Sequence, residues 1–208
     1  MLKILIADDH PVVRKGLKQI LADEQDIGLV GEARNEGEVL NLVHGHDWDA
    51  VVLDITMPGR GGIELLSDIK RLHPRLPVLI LTIHPEDQYA VRALKEGASG
   101  YMNKETAPEE LVRAIRKITG GGKYISSSLA EKLASMLGGE TPLHDSLSIR
   151  EYQVMLLIAS GKTITAIAEE MSLSVKTIST YRTRIFEKMG VTNNVEIARY
   201  AMKHRLVQ

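Results

Sequence analysis

The strongest constraint on this chain is a rhythm in its first 120 residues. Short β-branched and aliphatic runs alternate with longer stretches whose apolar positions recur at helical spacing. The runs are Leu2–Ala7, Gly28–Glu32, Ala50–Leu53, Val78–Thr82 and Gly100–Met102. The intervening stripes carry Val13, Leu17, Ile20 and Leu21; Val39, Leu40 and Val43; Ile63, Leu66, Ile69 and Leu72; Val91 and Leu94; and Leu111, Val112, Ile115 and Ile118. Five strands interleaved with five helices predict an α/β, doubly wound parallel sheet. Right-handed crossovers put the functional crevice of such a sheet at the carboxyl ends of its strands.

The rhythm then stops. Gly120-Gly121-Gly122 ends the fifth helix, a short helix is expected over Ser126–Leu137, and Gly138 to Pro142 form a breaker-rich hinge. From Ser148 onward no strand signal remains. Ser148 and Glu151 have capping-box spacing ahead of Val154, Leu157 and Ile158. A second helix carries Ile164, Ile167, Ala168 and Met171. Ser174 is placed to cap a third from Val175 to Met189, and a fourth runs from Asn194 to His204. The expected organisation is therefore a domain over 1–120, a linker with a short helix over 121–145, and a small all-α domain over 146–208.

Charge separates the halves. Residues 1–145 hold 17 Lys and Arg against 22 Asp and Glu, a net of −5, whereas residues 146–208 hold 9 against 5, a net of +4. A basic tail suits a polyanionic partner. The chain has no cysteine, which excludes disulfides, thiolate metal sites and a cysteine nucleophile. No stretch has the length of a signal peptide core or a membrane span, so a soluble, cytoplasmic protein without a membrane partner is expected.

Chemistry-bearing residues fall at the strand ends. Asp8 and Asp9 close the first strand, Asp54 the third and Thr82 the fourth, and Lys104 follows the fifth. Three carboxylates converging on one edge call for a cation, and all-oxygen ligation suits Mg²⁺ or Mn²⁺. Asp54 is placed to attack a phosphoryl group, with Lys104 to pair phosphoryl oxygens and Thr82 to donate to another. His10 stands beside the acidic pair, while His44, His46, His73, His84 and His144 show no ligand spacing and read as surface residues.

Asp8-Asp9, Asp54, the Thr56-Met57-Pro58-Gly59 turn, Thr82, Tyr101 and Lys104, in that order, resemble the flavodoxin-like receiver domain of bacterial two-component systems. The resemblance covers residues 2–119. It implies that Asp54 takes a phosphoryl group from a phosphohistidine on a sensor kinase. It further implies that Asp8, Asp9, Asp54 and the backbone carbonyl of Thr56 hold Mg²⁺, and that Thr82 and Tyr101 switch on phosphorylation. Glu105 departs from the proline that many receivers have after the lysine. Ile83 is bulkier than the residue usual after the threonine, which predicts narrowed access to the phosphoryl site.

In the basic half, Ser160-Gly161-Lys162-Thr163 looks like the end of a phosphate-binding loop. That motif needs glycine where Leu156 stands, so the match fails. The second and third helices have helix-turn-helix spacing. In the third, Ile178, Ile185 and Met189 share one face, and Lys176, Ser179, Thr180, Thr183 and Arg184 share another suited to a major groove. Residues 146–206 resemble the LuxR-type domain of NarL/FixJ response regulators. The supporting residues are Leu147-Ser148-Ile149-Arg150-Glu151, Ile164–Met171, Val175-Lys176-Thr177-Ile178 and Arg184 through Val191. The resemblance implies base contacts from Ser179, Thr180 and Thr183, with Lys176, Tyr181, Arg182 and Arg184 on the DNA backbone. It also implies a homodimer through the last helix, where Val195, Ala198 and Met202 lie.

The whole reads as a transcription regulator whose partners are double-stranded DNA, a sensor histidine kinase and RNA polymerase. No enzymatic turnover is expected beyond its own phosphotransfer and dephosphorylation. The competing readings are a magnesium-dependent phosphatase or hydrolase with Asp54 as nucleophile, and a phosphorylation-independent DNA-binding or protein-interaction module with a vestigial receiver.

Overall fold

The computed structural model describes residues 1–57, 62–84, 86–136 and 142–207. Pro58 and Gly59 of the expected turn and residues 138–141 of the expected hinge lie outside them. The chain divides into two compact units, Met1–Gly138 and Gly139–Gln208.

Among the described residues of the first unit, five strands form one parallel sheet in the order β2-β1-β3-β4-β5. They are β1 (Leu2–Ala7), β2 (Ile27–Ala33), β3 (Ala50–Leu53), β4 (Val78–Thr82) and β5 (Gly100–Asn103). The helices α1 (Pro11–Ala22), α2 (Glu36–Gly45), α3 (Gly62–Leu72), α4 (Glu86–Lys95) and α5 (Ala107–Thr119) each follow a strand. The three middle strands are apolar throughout their interior because both faces are covered: Ile4 to Ile6, Val51 to Leu53 and Val78 to Leu81 are all buried. The edge strands run longer than their apolar runs. Ile27 pairs with Leu2 and Ala33 with Ala7, and Asn103 pairs with Thr82. Ile27 and Ala33 are themselves buried apolar residues, whereas the polar Asn103 extends β5 along its neighbour's ladder.

α1 begins at Pro11, whose missing N–H falls where a helix has no acceptor for it. Its Leu17 and Leu21 pack with Leu111, Ala114, Ile115 and Ile118 of α5 against Ile4, Ile6, Val52 and Leu79. A further helix, α6 (Ser127–Met136), lies in the same unit and packs on α4. Its Leu129 is buried; Leu137, expected on the same face, lies outside the described residues.

The second unit holds α7 (Ile149–Ala159), α8 (Ile164–Glu170), α9 (Val175–Met189) and α10 (Asn194–Lys203), preceded by a 3₁₀ turn at Leu143–Ser146. Each start is capped by a side-chain oxygen: Ser148, Thr163, Ser174 and Asn193 accept from the backbone N–H three residues on. Gly190, at φ 65°, ends α9 in the left-handed conformation. Tyr152, Val154, Met155 and Ile158 of α7 meet Ile167, Ile178, Ile185, Met189, Ile197 and Ala201 in the core.

His144 corrects the surface reading. Its Nδ1 is 2.9 Å from the Tyr200 hydroxyl, and its ring faces Tyr152 and His204. The 3₁₀ turn carries it onto α7 and α10, and a partner 56 positions away left no local trace in the sequence.

The Glu151 carboxylate is 2.8 Å from the Ser148 N–H and 2.6 Å from Lys188 Nζ, and the residue is 2% exposed. Glu151→Ala removes half a capping box and a partly buried ion pair. It is expected to destabilise the second unit by about 2 kcal/mol, read as a lower urea midpoint with an unchanged slope.

Candidate functional site

Parallel, adjacent strands bring their carboxyl ends to one edge. Asp8 follows β1, Asp54 follows β3, Thr82 ends β4 and Lys104 follows β5. Asp8 and Asp54 are each 1% exposed, and Thr82 is fully buried. The Lys104 ammonium lies between the two acids, 2.6 Å from Asp8 Oδ2 and 2.7 Å from Asp54 Oδ2. Burial alone would lower the lysine's pKa. The hydrogen-bonding and charge of Asp54 and Asp8 outweigh it and hold the group above its ordinary 10.5.

Asp54 is fixed from its other side by Thr56. The Thr56 N–H donates to Asp54 Oδ1 at 2.8 Å, and the Thr56 hydroxyl is 2.7 Å from both carboxylate oxygens. One hydroxyl carries one proton, so it can donate to only one of them at a time. Gly62 opens α3 hard against this turn. A Cβ there would stand 2.3 Å from Ile55 Cα and 2.6 Å from the Asp54 carbonyl oxygen, so only glycine allows the approach.

His10 closes the acidic pair, with Nδ1 2.9 Å from Asp9 Oδ1 and 3.2 Å from Asp8 Oδ1. Its ring is more than half exposed, so it sits at the rim. Ligand atoms of Asp8, Asp9, His10 and Asp54 all lie within 4.8 Å of one another. Asp8 Oδ2 and Asp9 Oδ1 are sealed from solvent and, apart from Lys104 and His10, meet no donor among the described residues. Such a set of buried oxygens fits a hard divalent cation.

Thr82 and Tyr101 lie on the neighbouring strands β4 and β5. The Thr82 hydroxyl accepts from the His84 N–H at 3.3 Å. Tyr101 is 2% exposed, turned inward, and its hydroxyl donates to the His84 carbonyl at 3.1 Å. The His84 ring stacks on Tyr89, centroids 4.5 Å apart. Ile83, between them, is 67% exposed.

Two groups escaped the sequence reading. Arg14 is buried, and its Nη1 donates to the Asp8 carbonyl at 2.7 Å, with Nε 3.5 Å from Glu32. It shares the α1 stripe of Leu17 and Leu21, and a cation on an apolar stripe was the available signal. The Thr56 hydroxyl is the other, since only the carbonyl of that residue drew attention.

In the second unit, Lys176, Ser179, Thr180, Thr183 and Arg184 of α9 are exposed together, while Tyr181 and Arg182 are half-buried. Arg182 is engaged within the fold: its Nε donates to Asn194 Oδ1 at 2.8 Å, and its guanidinium lies 4.7 Å above the Phe186 ring. The Thr180 and Thr183 hydroxyls donate to the Lys176 and Ser179 carbonyls. Lys162, at the failed phosphate-loop motif, pairs with Glu170. Val195 and Met202 leave an apolar strip on α10, each 66% exposed.

Both units match known families: residues 4–116 match the response regulator receiver domain, and residues 145–201 the bacterial regulatory proteins of the luxR family. The chain is thus a two-component response regulator, a class that regulates transcription in response to phosphorylation. Within that class it belongs to the NarL/FixJ family, which joins a receiver to a LuxR-type DNA-binding domain.

It is 39% identical to the response regulator GacA of Pseudomonas aeruginosa, over 100% of this chain and 98% of that protein. It is 37% identical to the response regulator UvrY of Escherichia coli K12, over 99% and 96%. The structure of RcsB from Salmonella enterica serovar Typhimurium, bound to promoter rprA in the presence of the phosphomimetic BeF₃⁻, is 29% identical. It covers 96% of this chain and 97% of that one, with a TM-score of 0.66. Receiver domains bind Mg²⁺ in general, which accords with the acidic cluster. Among the described residues no helix is long and apolar enough to cross a membrane.

Arg14→Met leaves the Asp8 carbonyl without its donor. It is expected to cost the receiver about 2 kcal/mol, measured by urea unfolding, with Arg14→Lys intermediate.

Proposed function

We propose that Asp54 accepts a phosphoryl group from the phosphohistidine of a sensor kinase, and that the resulting aspartyl phosphate drives a homodimer onto DNA. The observation that carries this reading is the Lys104 ammonium held between Asp8 and Asp54. Transfer breaks the donor's N–P bond and forms an O–P bond to an Asp54 carboxylate oxygen. Lys104, already 2.7 Å from that carboxylate, then has phosphoryl oxygens as partners in place of a carboxylate charge. Asp8, Asp9, Asp54 and the Thr56 carbonyl would hold Mg²⁺, or Mn²⁺, which when bound neutralises charge developing on the phosphoryl oxygens.

Thr82 and Tyr101 answer the new charge, since both are tied to His84 in the segment after β4. Phosphoryl transfer to Asp54 and hydrolysis of the adduct are the only reactions assigned to the chain. A phosphatase reading leaves the LuxR-type second unit without a role. A vestigial receiver is disfavoured by the closeness of Asp8, Asp54 and Lys104.

On DNA, α9 would enter the major groove. Ser179, Thr180 and Thr183 would face base edges, with Lys176, Tyr181 and Arg184 on phosphates. Arg182 would act more by holding α9 against the start of α10 than by contacting the backbone. The exposed Val195 and Met202 suit a two-fold contact through α10. RNA polymerase is the expected further partner, and the cytoplasm the expected compartment.

Incubating full-length protein with acetyl phosphate and Mg²⁺ is expected to give one phosphoryl adduct by intact mass and a shift to dimer. Asp54→Ala and treatment with a chelator are each expected to abolish both. DNA binding that strengthens equally in Asp54→Ala overturns the mechanism. For DNA contacts, Lys176→Ala and Arg184→Ala are each expected to lower the slope of log K against log salt by about 1. That change should be similar for specific and random duplexes.

A further inference from the structure

After α5 the chain returns along the open edge of the sheet. Gly121, at φ 85°, makes the turn, and residues 123–126 then run beside β5. The Lys123 ammonium donates to the Ala98 carbonyl at 2.6 Å. The Tyr124 N–H donates to the Ser99 carbonyl at 2.9 Å, and the Tyr101 N–H to the Tyr124 carbonyl at 3.1 Å. Gly100 and Tyr124 thereby form a parallel bridge. The fit depends on Gly100: a Cβ there would stand 2.8 Å from the Tyr124 oxygen and 2.9 Å from Tyr124 Cβ.

Side chains fasten the strap at two further points. The Tyr124 hydroxyl donates to Glu110 of α5 at 2.5 Å, and the Ser126 hydroxyl donates to Glu86, the first residue of α4, at 2.7 Å. Ser126 also accepts the Leu129 N–H at 3.0 Å, so it caps α6, which itself packs on α4. One short segment is thus tied to α4, β5 and α5 at once. It is bonded to the backbone of Tyr101, whose side chain reaches the carbonyl of His84, and it starts the helix that leads out of the receiver.

We infer that residues 123–126 are the relay by which the state of the phosphoryl site reaches the linker: the strap is held or released with Tyr101 and so sets how α6 leaves the receiver. The inference rests on the phosphorylation-controlled reading above and adds the route. Two backbone hydrogen bonds and three side-chain ties are a modest hold. A change at Tyr101 and His84 can therefore alter its occupancy, which is what a two-state element requires. Glu110 is held below the usual carboxylate range chiefly by the Tyr124 hydrogen bond, so this tie is between a phenol and an ionised acid.

The test uses the full-length chain, acetyl phosphate with Mg²⁺, and a duplex selected by the phosphorylated protein from a random-sequence pool. In wild type, phosphorylation is expected to change amide exchange at Tyr101 and Tyr124 by about tenfold or more. Tyr124→Phe with Ser126→Ala is expected to take up the phosphoryl group within about twofold of the wild-type rate. Its phosphorylation-dependent gain in DNA affinity is expected to fall about fivefold or more. Glu110→Ala, which removes the acceptor of the Tyr124 hydroxyl, provides a second variant should the first fold poorly, and the same loss is expected.

Full retention of the gain in a folded strap variant overturns the relay, as does exchange at Tyr101 and Tyr124 that ignores phosphorylation. If wild type itself takes no phosphoryl group, or binds DNA no better for it, the parent reading fails and the relay with it. A responsive wild type beside an equally responsive variant sinks the relay alone.

Discussion

A single ammonium between two buried carboxylates organises the receiver. Asp8 and Asp54 lie at the ends of adjacent parallel strands, where the sheet order forces them together, and neither has bulk water to spread its charge. Lys104 meets both within 2.7 Å from the end of the fifth strand, so it ties β1 and β3 to β5 across β4. The surrounding groups orient these three. Arg14 holds the Asp8 carbonyl, Thr56 holds the Asp54 carboxylate, and Gly62 lets α3 press against the turn between them. Adding charge at Asp54 disturbs a balance in which one cation serves two anions.

The second unit is organised differently. Each of its helix starts is fixed by a local oxygen from Ser148, Thr163, Ser174 or Asn193. The polar face of α9 is left open because its opposite face carries Ile178, Ile185 and Met189 into the core. Arg182, bonded to Asn194 and lying over Phe186, fixes that helix against its successor. The exposed polar face of α9 therefore follows from how the core is filled.

Features carried by local pattern were legible in the sequence. β1, β3 and β4 coincide with their apolar runs, α9 runs from its Ser174 cap to Gly190, and the positions of Asp8, Asp54 and Lys104 on one edge follow from strand order. What was not legible depends on distant partners. The polar Asn103 extends β5 by pairing with Thr82 of β4. His144 is taken inward by Tyr200. Arg14 shares the apolar stripe of α1, but its partner, the Asp8 carbonyl, is visible only in the fold. Residues 123–126 carry no strand pattern, and their pairing depends on the missing side chain of Gly100.

That pairing also bears on where the receiver ends as a folding unit. β5 is an edge strand, and its outer row of backbone groups is the kind of open ladder that recruits strands from other molecules. Here the row is covered from within: the Ser99 carbonyl and Tyr101 N–H bond to Tyr124, and the Ala98 carbonyl to Lys123. A receiver cut at Gly120 would keep every strand and helix of the sheet but bare those groups, turning a closed margin into an adhesive one. A fragment that keeps this margin closed therefore extends past the fifth helix to include the strap.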